Sequence, residues 1–311
     1  MSQLNNQIVI EIAKQIGFDL VGFAQADLLE KETKKLQLWL DKGYQATMGY
    51  MERNFHKRKD VREILPSAKS VISLALNYYT PYQHIEEKGK GKVSRYGWGK
   101  DYHFIMWEML EKLENELKQI EPELETKSYV DTGPVMDKVW AVRSGLGWRG
   151  KHTCVINPNK GSWFFIAEII TNWEFEYSEI ITDHCGTCTA CIDACPTGAI
   201  VQEYVVDANK CISFQTIENK GEINPELKGK FENWLFGCDI CQDVCPWNNK
   251  FSFATSIQDF YPKNKELSID EVLSLDNQSF KEKFAESPIM RSKLKGLQRN
   301  AQFLKDTDQQ T

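Results

Sequence analysis

Two stretches of cysteine constrain this chain more than anything else in it. HCGTCTACIDACPTGAI, from His184, holds Cys185, Cys188, Cys191 and Cys195 with Pro196 behind the last. Further on, Cys211 is followed by Cys238, Cys241 and Cys245 in GCDICQDVCPW, again with a proline after the last cysteine. A disulfide framework has no need of such regular intervals. Thiolates that converge on an inorganic centre do.

Soft thiolates at short spacing suit zinc or iron–sulfur. Zinc is the plainer alternative, since two tetrathiolate sites would use all eight residues. Zinc ribbons pair two-cysteine knuckles, however, whereas three cysteines at intervals of three, with a fourth before proline, cup a cubane. The first set has the bacterial ferredoxin spacing C-x2-C-x2-C-x3-C-P, and the second departs from it by an insertion after Cys211. In two-cluster ferredoxins the fourth cysteine of each run serves the other cluster. That resemblance implies one cluster on Cys185, Cys188, Cys191 and Cys245, and a second on Cys195, Cys211, Cys238 and Cys241. Cys154, the ninth cysteine, reads as a small buried hydrophobe.

The opening MSQLNNQIVIEIAKQ has no basic segment leading into an apolar one and no twin arginine, and no window is long and apolar enough for a bilayer. The thiols are therefore expected in a reducing cytoplasm, away from membranes. A net charge of −6 over 311 residues argues against a surface coated with phosphate-binding groups, and leaves room for a local basic face.

Periodicity predicts helices over 4–16, 29–43, 101–120 and 136–147, with strands over 19–24 and 70–77. The Gly- and Lys-rich segment 86–103 reads as a mobile or ligand-facing loop, and 153–170 as a hairpin turned by NPNKGS. Residues 184–248 show few periodic apolar positions, so their fold is expected to lean on metal rather than on a core. The order of elements gives an α+β fold in three parts: a catalytic domain over 1–180, a ferredoxin-like two-cluster domain over 181–250, and a short helical segment over 251–311. No G-x-G-x-x-G follows a strand; Gly89 and Gly91 lack the third glycine, and a nicotinamide site is not supported. Asp101-Tyr102-His103 likewise fails to continue as D-x-H-x-x-G.

VSRYGWGKDYH, YVDTGPVMDKVWAVRSGLGWRGKHT, GSWFFIAEI, KCISFQTIE and FGCDICQDVCPWN occur in that order around the first cysteine run. Together they resemble the epoxyqueuosine reductases, and the likeness runs from the first helix to about Asn300. Many members of that family continue into helical repeats beyond the point where this sequence ends. The resemblance implies a nitroreductase-like cobalamin-binding domain, two 4Fe–4S clusters and an external low-potential electron donor. The reaction it implies is removal of the epoxide oxygen from epoxyqueuosine at the wobble position of tRNA, the last step of queuosine synthesis, by a monomer.

Asp131 matches the family's proton donor and would also neighbour the corrin; read alone, it is as well explained by an Asx turn onto Gly133. Asp137 reads as a helix-start residue and no rival to it. Matching positions put Arg58, Ser94, His152, Ser213, Cys238 and Asp239 beside the corrin. The plain alternatives are a solvated charge run for Arg58 and a satisfied core position for His152. Candidate phosphate contacts are Lys57, Arg58, Lys59, Lys88, Lys90, Lys92, Arg291, Lys293, Lys295 and Arg299, and Tyr96, Trp98, Trp148 or Trp247 could stack a splayed base unless they belong to the core. Two rivals stay open: a cobalamin-dependent reductive dehalogenase of small molecules, and an electron carrier without a reaction of its own. Anaerobically purified protein is expected to be brown, with iron and acid-labile sulfide, and Cys188→Ala to lose part of that iron. Zinc in place of iron contradicts the reading.

Overall fold

Every residue of the strand Ser70–Asn77 is buried, as expected of a strand covered on both faces. It pairs antiparallel with Leu20–Gln25 on one side and Phe164–Thr171 on the other, and Thr126–Tyr129 completes the four-stranded sheet. The computed structural model describes residues 4–308. These form two compact units, and this sheet belongs to the first, which runs to Gly43 and takes in Gly49–Asn77 and Tyr102–Cys188. The second unit takes Tyr44–Met48, Tyr78–Asp101 and the chain from Thr189 onward.

In the first unit, the helix Asn6–Ile16 is capped by the Asn5 side chain, which accepts from the Ile8 N–H, and it ends at Gly17. It packs on the 19-residue helix Tyr102–Ile120, which buries Met106, Leu110, Leu113 and Leu117. The helix Asp137–Arg143 lies against the sheet with Trp140 in a cluster that includes Val71, Val135 and Ile170. On this face the register lines up Gly22, Ser73, Glu168 and Tyr129 as one row across all four strands. Gly22 is required there: a Cβ would lie 1.9 Å from the Ser144 carbonyl oxygen, where the end of the helix comes down on the sheet. The expected 153–170 hairpin does not form. Val155–Ile156 pairs with Trp148–Arg149, whereas Phe164–Thr171 is drawn into the centre of the sheet.

The second unit has its own core, contrary to the expectation that this region leans on metal. Ile212, Leu227, Phe231, Leu235 and Phe236 from the cysteine region pack with Phe280, Phe284, Leu297 and Ala301 from the C-terminal segment. The apolar partners of residues 184–248 lie far along the chain, which is why local periodicity missed them. The segment taken for a mobile loop contributes the strand Lys90–Val93, held between Trp234–Phe236 and Glu266–Ser268. That pairing is why residues 78–101 join this unit instead of the N-terminal part of the chain, and why 251–311 is no separate appendage. The Asn300 side chain donates to the carbonyls of Thr216 at 2.8 Å and Leu235 at 3.0 Å, and Arg299 to those of Gln215, Asn219 and Gly221. Leu297→Ala is expected to cost about 2–5 kcal/mol, read as a lower-temperature loss of the near-ultraviolet dichroism of Trp98 and Trp234 and of the brown colour.

Candidate functional site: interior carboxyls and ligand-spaced thiols

In the first unit, Asp131 follows the strand Thr126–Tyr129 with φ of 56°, a left-handed conformation uncommon outside glycine and often found at functional sites. The residue is exposed, and its carboxylate accepts from the Tyr102 hydroxyl at 3.0 Å. The Tyr102 ring stacks on Phe165 at 4.0 Å. Phe165 and Glu168 point to opposite faces of their strand, so the Asp131 turn is flanked from both sides of the sheet.

Glu168 is wholly buried at the centre of the sheet. Its carboxyl meets that of Asp137, first residue of the helix Asp137–Arg143. Burial first, then its neighbours' charges, pushes the Glu168 carboxyl well up. Burial likewise pushes Asp137 up to about 6, with Asp131 adding to the rise and Arg58 opposing it. The Arg58 guanidinium is buried, donating to the carbonyls of Val135 at 3.1 Å and Tyr50 at 3.2 Å. It is no solvated charge: it pins the far end of the Asp131 turn. His152 is also buried, and its Nδ1 accepts from the Cys154 N–H at 3.1 Å. Cys154 is partly buried beside it. Burial raises its thiol, but Lys138, His152 and Arg149 outweigh that and bring it down to about 6.

In the second unit, Ser94 and Asp239 meet. The Ser94 hydroxyl donates to the Asp239 carboxylate, which also accepts from the Arg95 N–H at 2.7 Å. Gly237, at φ of 70°, allows this, since a Cβ there would lie 2.4 Å from that of Ser94. Burial and the Asp243 charge push Asp239 up to about 7 against those bonds. Ser213 sits in the helix Ile212–Ile217, directly after Cys211 and Ile212.

None of the nine cysteines is in a disulfide. Cys185 and Cys188 lie in the first unit, the other six cluster candidates in the second. Burial pushes the Cys238 thiol well up, and the nearby charges of Cys211, Asp239 and Cys195 push it further. Those three cysteines are thus neighbours within one unit. Cys195 Sγ accepts from the Ala199 N–H at 3.3 Å and has the Thr197 hydroxyl at 3.7 Å, the kind of hydrogen bonding that cluster thiolates take. Among the described residues no three His, Cys, Asp or Glu side chains converge on a single-ion site; a cubane spreads its thiolates more widely than one ion does. The donor set fits iron–sulfur.

Several candidate RNA contacts are engaged elsewhere. Trp98 and Trp148 are core residues. Arg291 pairs with Glu218, Lys90 with Glu87 and Lys92 with Glu86, whereas Lys88, Lys293 and Lys295 remain exposed. Sequence reasoning missed Glu168 and Tyr102. The signal for Glu168 was present, as the single charge in the apolar run WFFIAEII.

Ligand-spaced thiols, with no disulfide among them, define an iron–sulfur redox protein. A family profile described as "4Fe-4S double cluster binding domain" matches residues 184–248, and one described as "Epoxyqueuosine reductase QueG, DUF1730" matches residues 58–132. The epoxyqueuosine reductase of Leadbetterella byssophila is 46% identical over 94% of this chain and 96% of its own length; that of Cellulophaga algicola is 47% identical over 94% and 95%. A crystal structure of epoxyqueuosine reductase with an epoxyqueuosine-modified tRNA-Tyr stem loop superposes with a TM-score of 0.90, at 38% identity, over 96% of this chain and 80% of that one. A Bacillus subtilis epoxyqueuosine reductase, solved with its catalytic aspartate loop swung out of the active site, gives 0.89 at 36% identity over the same shares. The chain belongs to the epoxyqueuosine reductase family.

The carboxyl pair makes a prediction about stability. The folded chain retains a proton on Asp137 up to about pH 6, where an ordinary aspartate releases it near 3.8. The pair's contribution to folding is therefore complete below the ordinary value and is lost as pH rises through the folded one. Melting temperature is expected to fall between about pH 4 and pH 7, and Glu168→Gln to flatten that dependence.

Proposed function

We infer that this chain reduces epoxyqueuosine in tRNA to queuosine, removing the epoxide oxygen from the modified wobble base as the last step of that synthesis. The observation that carries this is near full-length identity to epoxyqueuosine reductases, one of which holds an epoxyqueuosine-modified stem loop in a closely superposable structure. Such an enzyme would act on cytoplasmic tRNA and draw electrons from an external low-potential donor.

Asp131 is our candidate acid. An alkoxide leaves poorly unless protonated, and a positioned carboxyl lowers that barrier. Support comes from its left-handed backbone, its Tyr102 contact, its place on a short turn pinned by Arg58, and the catalytic aspartate loop of the Bacillus subtilis relative. The thiols are assigned as in two-cluster ferredoxins: Cys185, Cys188, Cys191 and Cys245 to one cluster, Cys195, Cys211, Cys238 and Cys241 to the other.

The first unit, a four-stranded antiparallel sheet covered by helices, is read as the nitroreductase-like cobalamin-binding part. Cobalamin, when bound, would supply a strongly reducing cobalt centre. The residues present suit it in part. The Arg58 Nε–H is enclosed and without an acceptor, which suits a corrin side-chain amide, and His152 is a second buried polar group. Ser94 and the Asp239 side chain are committed to each other, so backbone at Cys238 and Asp239 is what that segment offers. Asp131→Asn is expected to keep iron, sulfide and cobalt content and stem-loop affinity, while turnover falls about a hundredfold or more. Native turnover in that variant removes the acid assignment.

A further inference from the structure

The reaction consumes protons, and the exposed Asp131 has a second group of acids behind it. Glu168 stands fully buried in the row that crosses the sheet, facing Asp137, and both carboxyls feel the charge of Asp131. A carboxyl in such a layer costs stability that an apolar side chain of similar size would not. Resting on the reading of Asp131 as the acid, we propose that Asp137 and Glu168 together store a proton behind it and return that proton once Asp131 has protonated the departing oxygen. They are positioning residues, acting on substrate only through Asp131.

The balance is as follows. Two C–O bonds break, one C=C bond forms, and oxygen leaves as water, so two electrons and two protons are consumed. The electrons come from a low-potential one-electron donor by way of the clusters. Asp131 delivers one proton, is reloaded by the pair and delivers the second; solvent then reprotonates the carboxyls.

The surroundings favour one retained proton near neutrality. Asp137 is faced by Glu168 from the strand Phe164–Thr171, by Asp131 from the turn and by Arg58 from the helix Phe55–Lys59. Glu168 is faced by Asp137 and Asp131, with Tyr129 opposite it in the sheet, and Tyr102 holds Asp131 from the helix Tyr102–Ile120. One guanidinium against three carboxyls leaves an excess of negative charge that a shared proton relieves. Burial raises both acids in the same direction.

The test uses the full chain with clusters and cobalamin loaded, reduced methyl viologen as donor, and a tRNA stem loop bearing epoxyqueuosine. Glu168→Gln is expected to lower kcat about tenfold, to move the alkaline limb of the pH–rate profile, and to leave KM for the stem loop unchanged. Difference infrared spectra of the substrate-free protein are expected to show a protonated-carboxyl C=O band at neutral pH, present in native protein and in Asp131→Asn and lost in Glu168→Gln. Should Glu168→Gln not fold, Asp137→Asn, near-isosteric, is expected to lower kcat and move the alkaline limb in the same way, and to shift the C=O band, which Glu168 carries, rather than remove it. An absent band in native protein overturns the proposal, as does an unchanged pH profile in Glu168→Gln. Inactive Asp131→Asn beside native-like Glu168→Gln would sink the proton store alone, whereas fully active Asp131→Asn would sink the acid reading and the store with it.

Discussion

An ionised carboxyl cannot stand alone in a low-dielectric interior, and the first unit is arranged around that fact. Glu168 occupies the middle of its central sheet, so the acid must share a proton or meet a cation. Asp137 meets it from the start of its helix, and Arg58 in turn partly offsets the Asp137 charge. For the helix to arrive there, its far end has to settle on the sheet, where Gly22 makes room and the Ser144 hydroxyl bonds that of Ser73 at 3.0 Å. The polar row, the close helix approach and the pinned turn are thus one arrangement seen from several places.

The second unit meets a different demand. Two candidate cluster ligands, Cys191 and Cys241, sit on very short helices, Ala190–Asp193 and Ile240–Asp243, too brief to be stable in isolation. The C-terminal helix Lys293–Asp308 and the strand Trp234–Phe236 give the cysteine region an apolar floor. The Ala199 N–H bond to Cys195 and the Ser94–Asp239–Arg95 contact beside Cys238 tie these loops down.

The sequence made the thiol pattern and its chemistry legible because ligand spacing is local. Helices with a clear apolar stripe, such as Tyr102–Ile120, were readable for the same reason. What stayed hidden was non-local. Segment 86–103 looks like a loop because Gly and Lys dominate it, yet Lys90–Val93 becomes a strand once two distant strands flank it. Glu168 looked like one more polar residue in an expected hairpin, and only the sheet register shows it at the centre. Asp137 is a helix start, as expected, but its carboxyl's partner lies in a strand no local pattern connects to it.

The grip of Arg58 on the Val135 carbonyl has a mechanical consequence. The chain that bears Asp131 is anchored by sheet pairing at Tyr129 and by this guanidinium six residues later, so it behaves as a short leash. A span of that contour lets its middle travel on the order of 10 Å at most. Asp131 is held within that radius, and a buried cation at the far end of its turn helps to set it.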